Sequence, residues 1–254
     1  MPMIDPANPA SAPDPVAARP PARRPKAILF DLDDTLWPLA PVLERAEQAL
    51  HDWLAEHAPA VPQRFSIAAL RAGRIALHEQ QPALRGDVGA LRRAGLAAAF
   101  AEAGADASHI DAAMAHFVAA RSAVTLYDDV LPGLARLAPD YLLGSISNGN
   151  ADLVVAGLAP HFKVSLAAGR HGPAKPHPAL FLAACAALGL APAEVLYVGD
   201  DLQLDVVAAQ AAGLRAVWMN RAGSDAHLAA GVVPDAICAD FDALLRWLEQ
   251  LAPE

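Results

Sequence analysis

Short apolar runs recur along the chain, and each of them ends at or just before a polar residue. Runs of this length are typical of strands buried in a parallel sheet. They lie at 26–31, 141–146, 195–199 and 216–219. Stretches with helical spacing separate the later runs, which indicates crossover helices between parallel strands. The pattern therefore predicts an α/β fold with a parallel sheet.

Between the first two predicted strands lies a long segment, 39–122, whose pattern is helical throughout. Val42, Ala46, Leu50 and Leu54 have the four-residue spacing of one helical face. Helices are expected near 42–57, 66–80, 87–103 and 109–122, where they would form a small bundle. The expected division is a sheet core at 26–38 and 123–254, with 39–122 inserted as a helical domain.

The composition excludes several classes of protein. A hydrophobic fraction of 55% with 19% charged residues argues against a mainly disordered chain, although residues 1–25, with eight prolines, are expected to form a disordered tail. The formal net charge of −9 argues against a nucleic-acid partner. No apolar stretch reaches the ~18 residues of a membrane span, and the tail lacks the apolar centre of a secretory signal. We therefore expect a cytoplasmic protein without a membrane partner, and the oligomeric state stays open.

Polar residues of complementary chemistry follow the predicted strands. Because the carboxyl ends of parallel strands share one edge of the sheet, we expect these side chains to lie close together. They are Asp31 and Asp33 after the first strand, Ser147 and Asn148 after the second, Lys175 before a later helix, and Asp200 and Asp205 after another strand.

The four carboxylates predict a cation site. Alternation along an extended segment places Asp31 and Asp33 on the same side, and Asp200 and Asp205 add negative charge that a cation must offset. Oxygen ligands without a set of His or Cys favour Mg²⁺. Each motif alone has a simpler interpretation, since Asp-rich turns often cap helices and the segment at 147–150 could be only a turn. It is their combination that favours a site.

The same residues fit phosphoryl transfer. An aspartate can attack phosphorus to give an aspartyl-phosphate while a second carboxyl group supplies and later removes a proton, and Asp31 and Asp33 fit these two roles. Such a reaction also needs groups that neutralise and position the phosphate. Lys175, Ser147 and Asn148 are the candidates.

Together these segments resemble the four motifs of the haloacid dehalogenase-like superfamily of aspartate-nucleophile hydrolases, over about residues 26–250. The resemblance implies a Rossmann-like α/β core in which Asp31 is the nucleophile and Asp33 the acid/base. It implies that Ser147 and Lys175 are the functional residues of the second and third motifs.

The resemblance also implies a Mg²⁺ ion held by Asp31, by the backbone carbonyl of Asp33 and by Asp200, with Asp205 nearby or acting through water. Asp201 is expected either to assist the metal or to cap the following helix. Asp34 is expected to point away from the metal and to fix the turn.

Members of this superfamily that break carbon–halogen bonds lack an aspartate two residues after the nucleophile, so Asp33 favours phosphate ester hydrolysis. The helical insert resembles a cap that closes over small phosphorylated metabolites. Two alternatives stay open: a sugar-phosphate phosphatase of the same fold, and a phosphate-accepting or phosphate-binding protein without turnover.

A narrower resemblance, carried by the segments at 147–153 and 168–176, is to bacterial phosphatases of FMN and of the phosphorylated ribitylaminouracil of riboflavin synthesis. Gly86 and Gly89 depart from the cap motif of that subgroup. Two residues are candidates for substrate contact. Arg92 could bind a polar end of the substrate or be a solvated surface residue, and Trp37 could stack on a flat ring or pack at the hinge of the cap.

Overall fold

The computed structural model describes residues 23–84 and 86–252. They form a six-stranded sheet in the order β3-β2-β1-β4-β5-β6, and every neighbouring pair is parallel. The strands are β1 (Ala27–Phe30), β2 (Leu142–Ser147), β3 (Val164–Ala167), β4 (Val195–Gly199), β5 (Arg215–Met219) and β6 (Ala236–Cys238). The prediction of a Rossmann-like α/β sheet is confirmed.

The sequence prediction missed the two edge strands. β6 has three residues, and the side chains of β3 are only half-buried apart from the exposed Ser165. An edge strand is covered on fewer sides than a central one, so it does not need the continuous apolar run by which buried strands are identified.

Helices cover both faces of the sheet and fill the segment between β1 and β2. They are α1 (Leu39–His57), α2 (Ala60–Arg64), α3 (Ile67–Gln80), α4 (Val88–Ala103), α5 (Ile110–Ser122), α6 (Val130–Leu137), α7 (Ala179–Leu188), α8 (Ala208–Ala211), α9 (Ala226–Ala230) and α10 (Phe241–Glu249). A π-helical segment, Leu202–Val207, leads into α8. The short α2 was not predicted. Within the described ranges, none of the helices combines the length and the hydropathy needed to cross a membrane.

The strand residues alternate between two hydrophobic cores. On β1, Ile28 and Phe30 pack with α6 and α10, whereas Ala27 and Leu29 pack on the opposite face with α7 and α8. The helices of 39–122 bury a third cluster of their own, which includes Leu50, Phe100 and Phe117. The side chains at the carboxyl edge of the sheet are therefore held by packing on both faces.

Three residues of the predicted disordered tail are part of the described structure. Arg24 N donates to Ala252 O over 3.0 Å, and Arg215 Nη1 donates to Arg23 O over 2.7 Å. Residues 23–25, which the sequence assigned to the disordered tail, are thus attached to the core, while residues 1–22 of that tail lie outside the described residues.

A close contact between α6 and α10 gives a test of the core. Gly133 lies against Phe241, and a Cβ at position 133 would overlap the Phe241 ring. We expect Gly133→Ala to lower the free energy of unfolding by about 1–3 kcal/mol through overpacking, measured by urea denaturation. The matched control is Gly73→Ala in α3, where a Cβ meets nothing within 4 Å; there alanine should stabilise the helix by up to about 1 kcal/mol. Equal effects of the two substitutions would contradict this packing.

Candidate active site

The ends of β1, β2 and β4 and the segment before α7 meet at a cavity of about 420 Å³. Helices α1, α3, α4 and α5 form its opposite wall, so the cavity lies between the sheet edge and the helical segment. The predicted site residues that line it are Asp31, Asp33, Arg92, Ser147, Asn148, Lys175, Asp200 and Asp205. The volume falls within the range of about 300–1,000 Å³ common for small-molecule sites.

Lys175 lies at the centre of this group and is almost fully buried. Its Nζ donates to Asp31 Oδ1 and to Asp205 Oδ1, each over 2.6 Å. Burial alone would lower the pKa of Lys175, but Asp205 and Asp31 outweigh it and hold the pKa well above its ordinary value. Lys175 is therefore a fixed positive charge that orients the Asp31 carboxylate.

Tyr197 completes the surroundings of this ammonium group and was not identified from the sequence. Its hydroxyl accepts from Lys175 Nζ over 2.8 Å and donates to Ile146 O over 3.0 Å. The residue lies inside the apolar run of β4, where an aromatic side chain is expected to belong to the core. The local pattern contains no signal that separates it from a packing residue.

Three carboxylates form a cluster fit for a cation. Asp31, Asp200 and Asp205 offer oxygen atoms that all lie within 4.8 Å of one another. Burial, followed by the charges of Asp205 and Asp34, raises the pKa of Asp200 to about 7. An all-oxygen set suits a hard divalent ion. The Asp33 side chain is not part of this cluster.

The cluster depends on a glycine at the end of β4. A Cβ at Gly199 would overlap the carboxyl group of Asp205. The second oxygen of that carboxyl group, Oδ2, accepts from Asp201 N over 2.9 Å. Both Asp205 oxygens are therefore occupied by protein donors, and this residue holds Lys175 in place.

The Asp33 carboxylate is held by Arg121 of α5 and by Trp37, which precedes α1. Arg121 Nη2 donates to Oδ1 and Oδ2 over 2.5 and 2.6 Å, and Trp37 Nε1 donates to Oδ1 over 2.8 Å. A Cβ at Gly149 would come within 2.7 Å of Asp33 Oδ2, so a glycine leaves room for this arrangement. Arg121 was missed by the sequence analysis because an arginine at the end of a helix has no local mark of function.

The second motif shows different roles for its two polar side chains. Ser147 Oγ accepts from Gly149 N over 2.8 Å, and as a hydroxyl it can still donate toward the cavity. The Asn148 amide donates to Lys175 O over 2.9 Å and accepts from Lys175 N over 2.8 Å. The Asn148 side chain therefore fastens the segment that carries Lys175, and a phosphate contact of Asn148 through its backbone N–H stays a prediction.

Two further acidic residues of the motifs lie at the starts of helices. Asp34, at φ 56°, accepts from Leu39 N over 2.8 Å at the beginning of α1. Asp201 Oδ1 accepts from Gln203 N and Leu204 N over 2.7 and 2.8 Å. Of the two roles that the sequence left open for Asp201, the structure shows the capping role.

The two candidates for substrate contact differ. Of the two roles that the sequence left open for Trp37, the structure shows packing, because its ring is fully buried in the core. Arg92 lines the cavity, and only 8% of its surface is exposed. This burial excludes the alternative that Arg92 is a solvated surface residue. Its guanidinium lies 3.5 Å from the centre of the Phe117 ring.

The chain is similar in sequence to a family of hydrolases and to individual phosphatases. The model of the haloacid dehalogenase-like hydrolase family matches residues 25–213. The 5-amino-6-(5-phospho-D-ribitylamino)uracil phosphatase YigB of Escherichia coli is 34% identical over 209 residues, which cover 81% of this chain and 87% of that protein. A phosphoserine phosphatase of Thermus thermophilus is 48% identical over 84 residues, 31% of this chain and 34% of that protein.

Among solved structures, a 2-haloacid dehalogenase from Pseudomonas syringae superposes with a TM-score of 0.78 at 38% identity. The superposition covers 87% of this chain and 99% of that chain. Similarity of this extent includes the helical segment as well as the sheet.

Proposed function

Because the chain belongs to the haloacid dehalogenase-like hydrolase family, as its four motifs predicted, we propose that it is a Mg²⁺-dependent phosphatase of small phosphorylated metabolites. The observation that carries this proposal is the position of Asp31 beside Lys175 and the Asp200 carboxylate at the wall of the cavity. A buried carboxylate beside a fixed ammonium group is placed to act as a nucleophile.

The proposed reaction has two steps. The Asp31 carboxylate attacks phosphorus, and Asp33 gives a proton to the leaving oxygen. Asp33 then takes a proton from the water that cleaves the aspartyl-phosphate. The Ser147 hydroxyl and the backbone N–H of Asn148 bind phosphate oxygens, while Lys175 limits the charge that accumulates at Asp31.

The donor set fits Mg²⁺. Asp31, the backbone carbonyl of Asp33 and Asp200 would hold the ion, and Asp205, whose oxygens contact Lys175 and Asp201, would act through water. When bound, the ion neutralises charge on the transferred phosphate.

The similarity to a 2-haloacid dehalogenase makes halide displacement the second candidate. A halide leaves without a proton, so that reaction has no need of an acid beside the nucleophile. Asp33 lines the cavity two residues after Asp31, and a carboxyl group there favours an ester, whose leaving oxygen must be protonated.

We propose that residues 39–122 act as a cap on the catalytic core of 26–38 and 123–254. The cavity lies between the two parts, and the helices of the cap have their own hydrophobic cluster. A cap that closes on this cavity would exclude water from the reaction and restrict substrates to small molecules. The likeness to YigB supports a ribityl phosphate, with FMN as a related candidate and simple sugar phosphates as the alternative.

Phosphate release from a panel of esters tests the proposal. We expect hydrolysis of p-nitrophenyl phosphate that stops when EDTA removes divalent ions and returns with Mg²⁺. If FMN and ribityl phosphates are hydrolysed no better than simple sugar phosphates, the riboflavin-related substrate is excluded while the phosphatase proposal stands. Bound Mg²⁺ without hydrolysis of any ester would instead indicate a phosphate-binding protein.

A further inference from the structure

The helical wall of the cavity carries three arginines, of which only Arg121 contacts a residue of the proposed reaction, through the Asp33 carboxylate. Arg74 of α3, Arg92 of α4 and Arg121 of α5 all line the cavity that contains Asp31. We refer to these three residues as the arginine wall. They face an edge of the sheet that is rich in aspartate.

The carboxylates that contact the arginine wall are too few to neutralise it. Glu47 Oε1 accepts a hydrogen bond from Arg74 over 2.7 Å, and Glu47 Oε2 accepts one from Arg71 over 2.5 Å. Arg92 Nη2 lies 3.7 Å from Glu47 Oε1, which is longer than a hydrogen bond. The buried Arg92 thus contacts the face of Phe117 and shares the Glu47 carboxylate with Arg71 and Arg74, both of which lie closer to that carboxylate.

Arg121 adds an unsatisfied donor to this wall. Its Nη2 contacts Asp33, but Nη1 is buried and has no hydrogen-bond partner among the described residues. Leaving a buried charged donor unpaired is costly, so an anion that accepts a hydrogen bond from Arg121 Nη1 would be stabilised.

Repulsion between the arginines of the wall also favours the binding of an anion. Burial, followed by the neighbouring charge of Arg74, lowers the pKa of Arg92 to about 9, and Arg121 acts in the same direction. A bound anion would offset both the burial of Arg92 and its repulsion by the other two arginines. The planar guanidinium group matches the paired oxygens of a carboxylate or a phosphate.

We propose that the arginine wall binds a second anionic group of the substrate, a carboxylate or a phosphate, remote from the phosphate that Asp31 attacks. At the sheet edge, a bound Mg²⁺ ion and the Ser147 hydroxyl would contact the transferred phosphate. The wall is thus an additional positive region within the same cavity, whose volume of about 420 Å³ exceeds that of a phosphate group alone.

This inference rests on the proposed phosphatase function. A substrate with a second anionic group would differ from the ribityl phosphates and FMN, because those esters carry no anionic group besides the phosphate. The two substrate proposals therefore predict opposite preferences among phosphate esters.

Matched series of phosphate esters test the arginine wall. One series consists of hydroxy acids of two to five carbons phosphorylated on the hydroxyl, a second of alkanediol bisphosphates, and the reference series of alkyl phosphates of equal length. The wild-type protein should have a higher kcat/KM for one anionic series than for the alkyl phosphates. Arg92→Met should reduce this preference by about 10- to 100-fold, the range for a hydrogen bond to a charged group. The series that shows the preference distinguishes a carboxylate from a phosphate.

The control variant is Arg93→Met on the same helix, whose exposed guanidinium pairs with Asp111 outside the cavity; it should keep the preference. Arg92→Lys retains the charge and should restore part of it, and Arg74→Met provides a second variant if Arg92→Met does not fold. Hydrolysis without any preference, or equal losses for anionic and alkyl esters in Arg92→Met, overturns the anion site alone. Absence of all hydrolysis in the wild type overturns the phosphatase proposal and this inference together.

Discussion

Asp31→Asn is expected to lower phosphate release by about 10⁴- to 10⁶-fold, the range seen when a catalytic nucleophile is removed. Asparagine has nearly the same shape, so the packing around position 31 should persist. An amide, however, does not form the phosphoryl ester, and it brings no negative charge to the metal site. The measurement is the steady-state rate with p-nitrophenyl phosphate under saturating Mg²⁺.

Asp201→Asn is the matched control for this substitution. Asp201 caps the helix that begins at Leu202, and asparagine caps a helix as well as aspartate does. We expect its rate to stay within a few-fold of the wild type. Mass spectrometry of Asp31→Asn excludes deamidation back to aspartate, and substantial hydrolysis by the intact variant would contradict a nucleophilic Asp31.

The predicted site residues that the structure brings together share one property. Asp31, Ser147 and Asp200 lie at the ends of buried strands, and the register of a parallel sheet brings these ends to one edge. Their convergence could be predicted because it needs only strand positions. Lys175 was recognised by its motif rather than by any strand pattern.

Other residues of the site could not be predicted, because their roles depend on tertiary contacts. Arg121 is 88 residues from Asp33 in sequence, and only the packing of α5 against the β1 loop brings them together. Trp37 follows the catalytic loop directly, yet its burial in the core leaves only its indole N–H to act on Asp33. For Asn148 the motif was recognised, but the contact of its side chain was not.

The same contacts connect the two parts of the molecule. Arg121 extends from the last turn of α5 to Asp33, while Ser122 Oγ accepts from Asp152 N of the loop after β2 over 2.8 Å. Movement of the helical segment relative to the sheet would therefore alter the position of the proposed acid/base. This makes the orientation of Asp33 dependent on the helices that contribute the arginine wall.

Lys175→Met is expected to lower kcat by about 10²- to 10³-fold, the range for loss of one electrostatic contact in an active site. It should also lower the free energy of unfolding by about 3–5 kcal/mol, because Asp31 and Asp205 lose their common partner while staying buried. Urea denaturation measures the stability. The same substitution at the exposed Lys163 is the control and should change stability by no more than about 0.5 kcal/mol.

The double variant Lys175→Met with Asp205→Asn separates the structural role of Lys175 from its role in the reaction. Neutralising Asp205 removes one of the two buried charges left by Lys175→Met, so part of the lost stability should return. The rate should not recover, because the ammonium group that limits the charge at Asp31 is still absent. Recovery of the rate together with the stability would show that Lys175 serves only to neutralise Asp205, and that Asp31 reacts without its help.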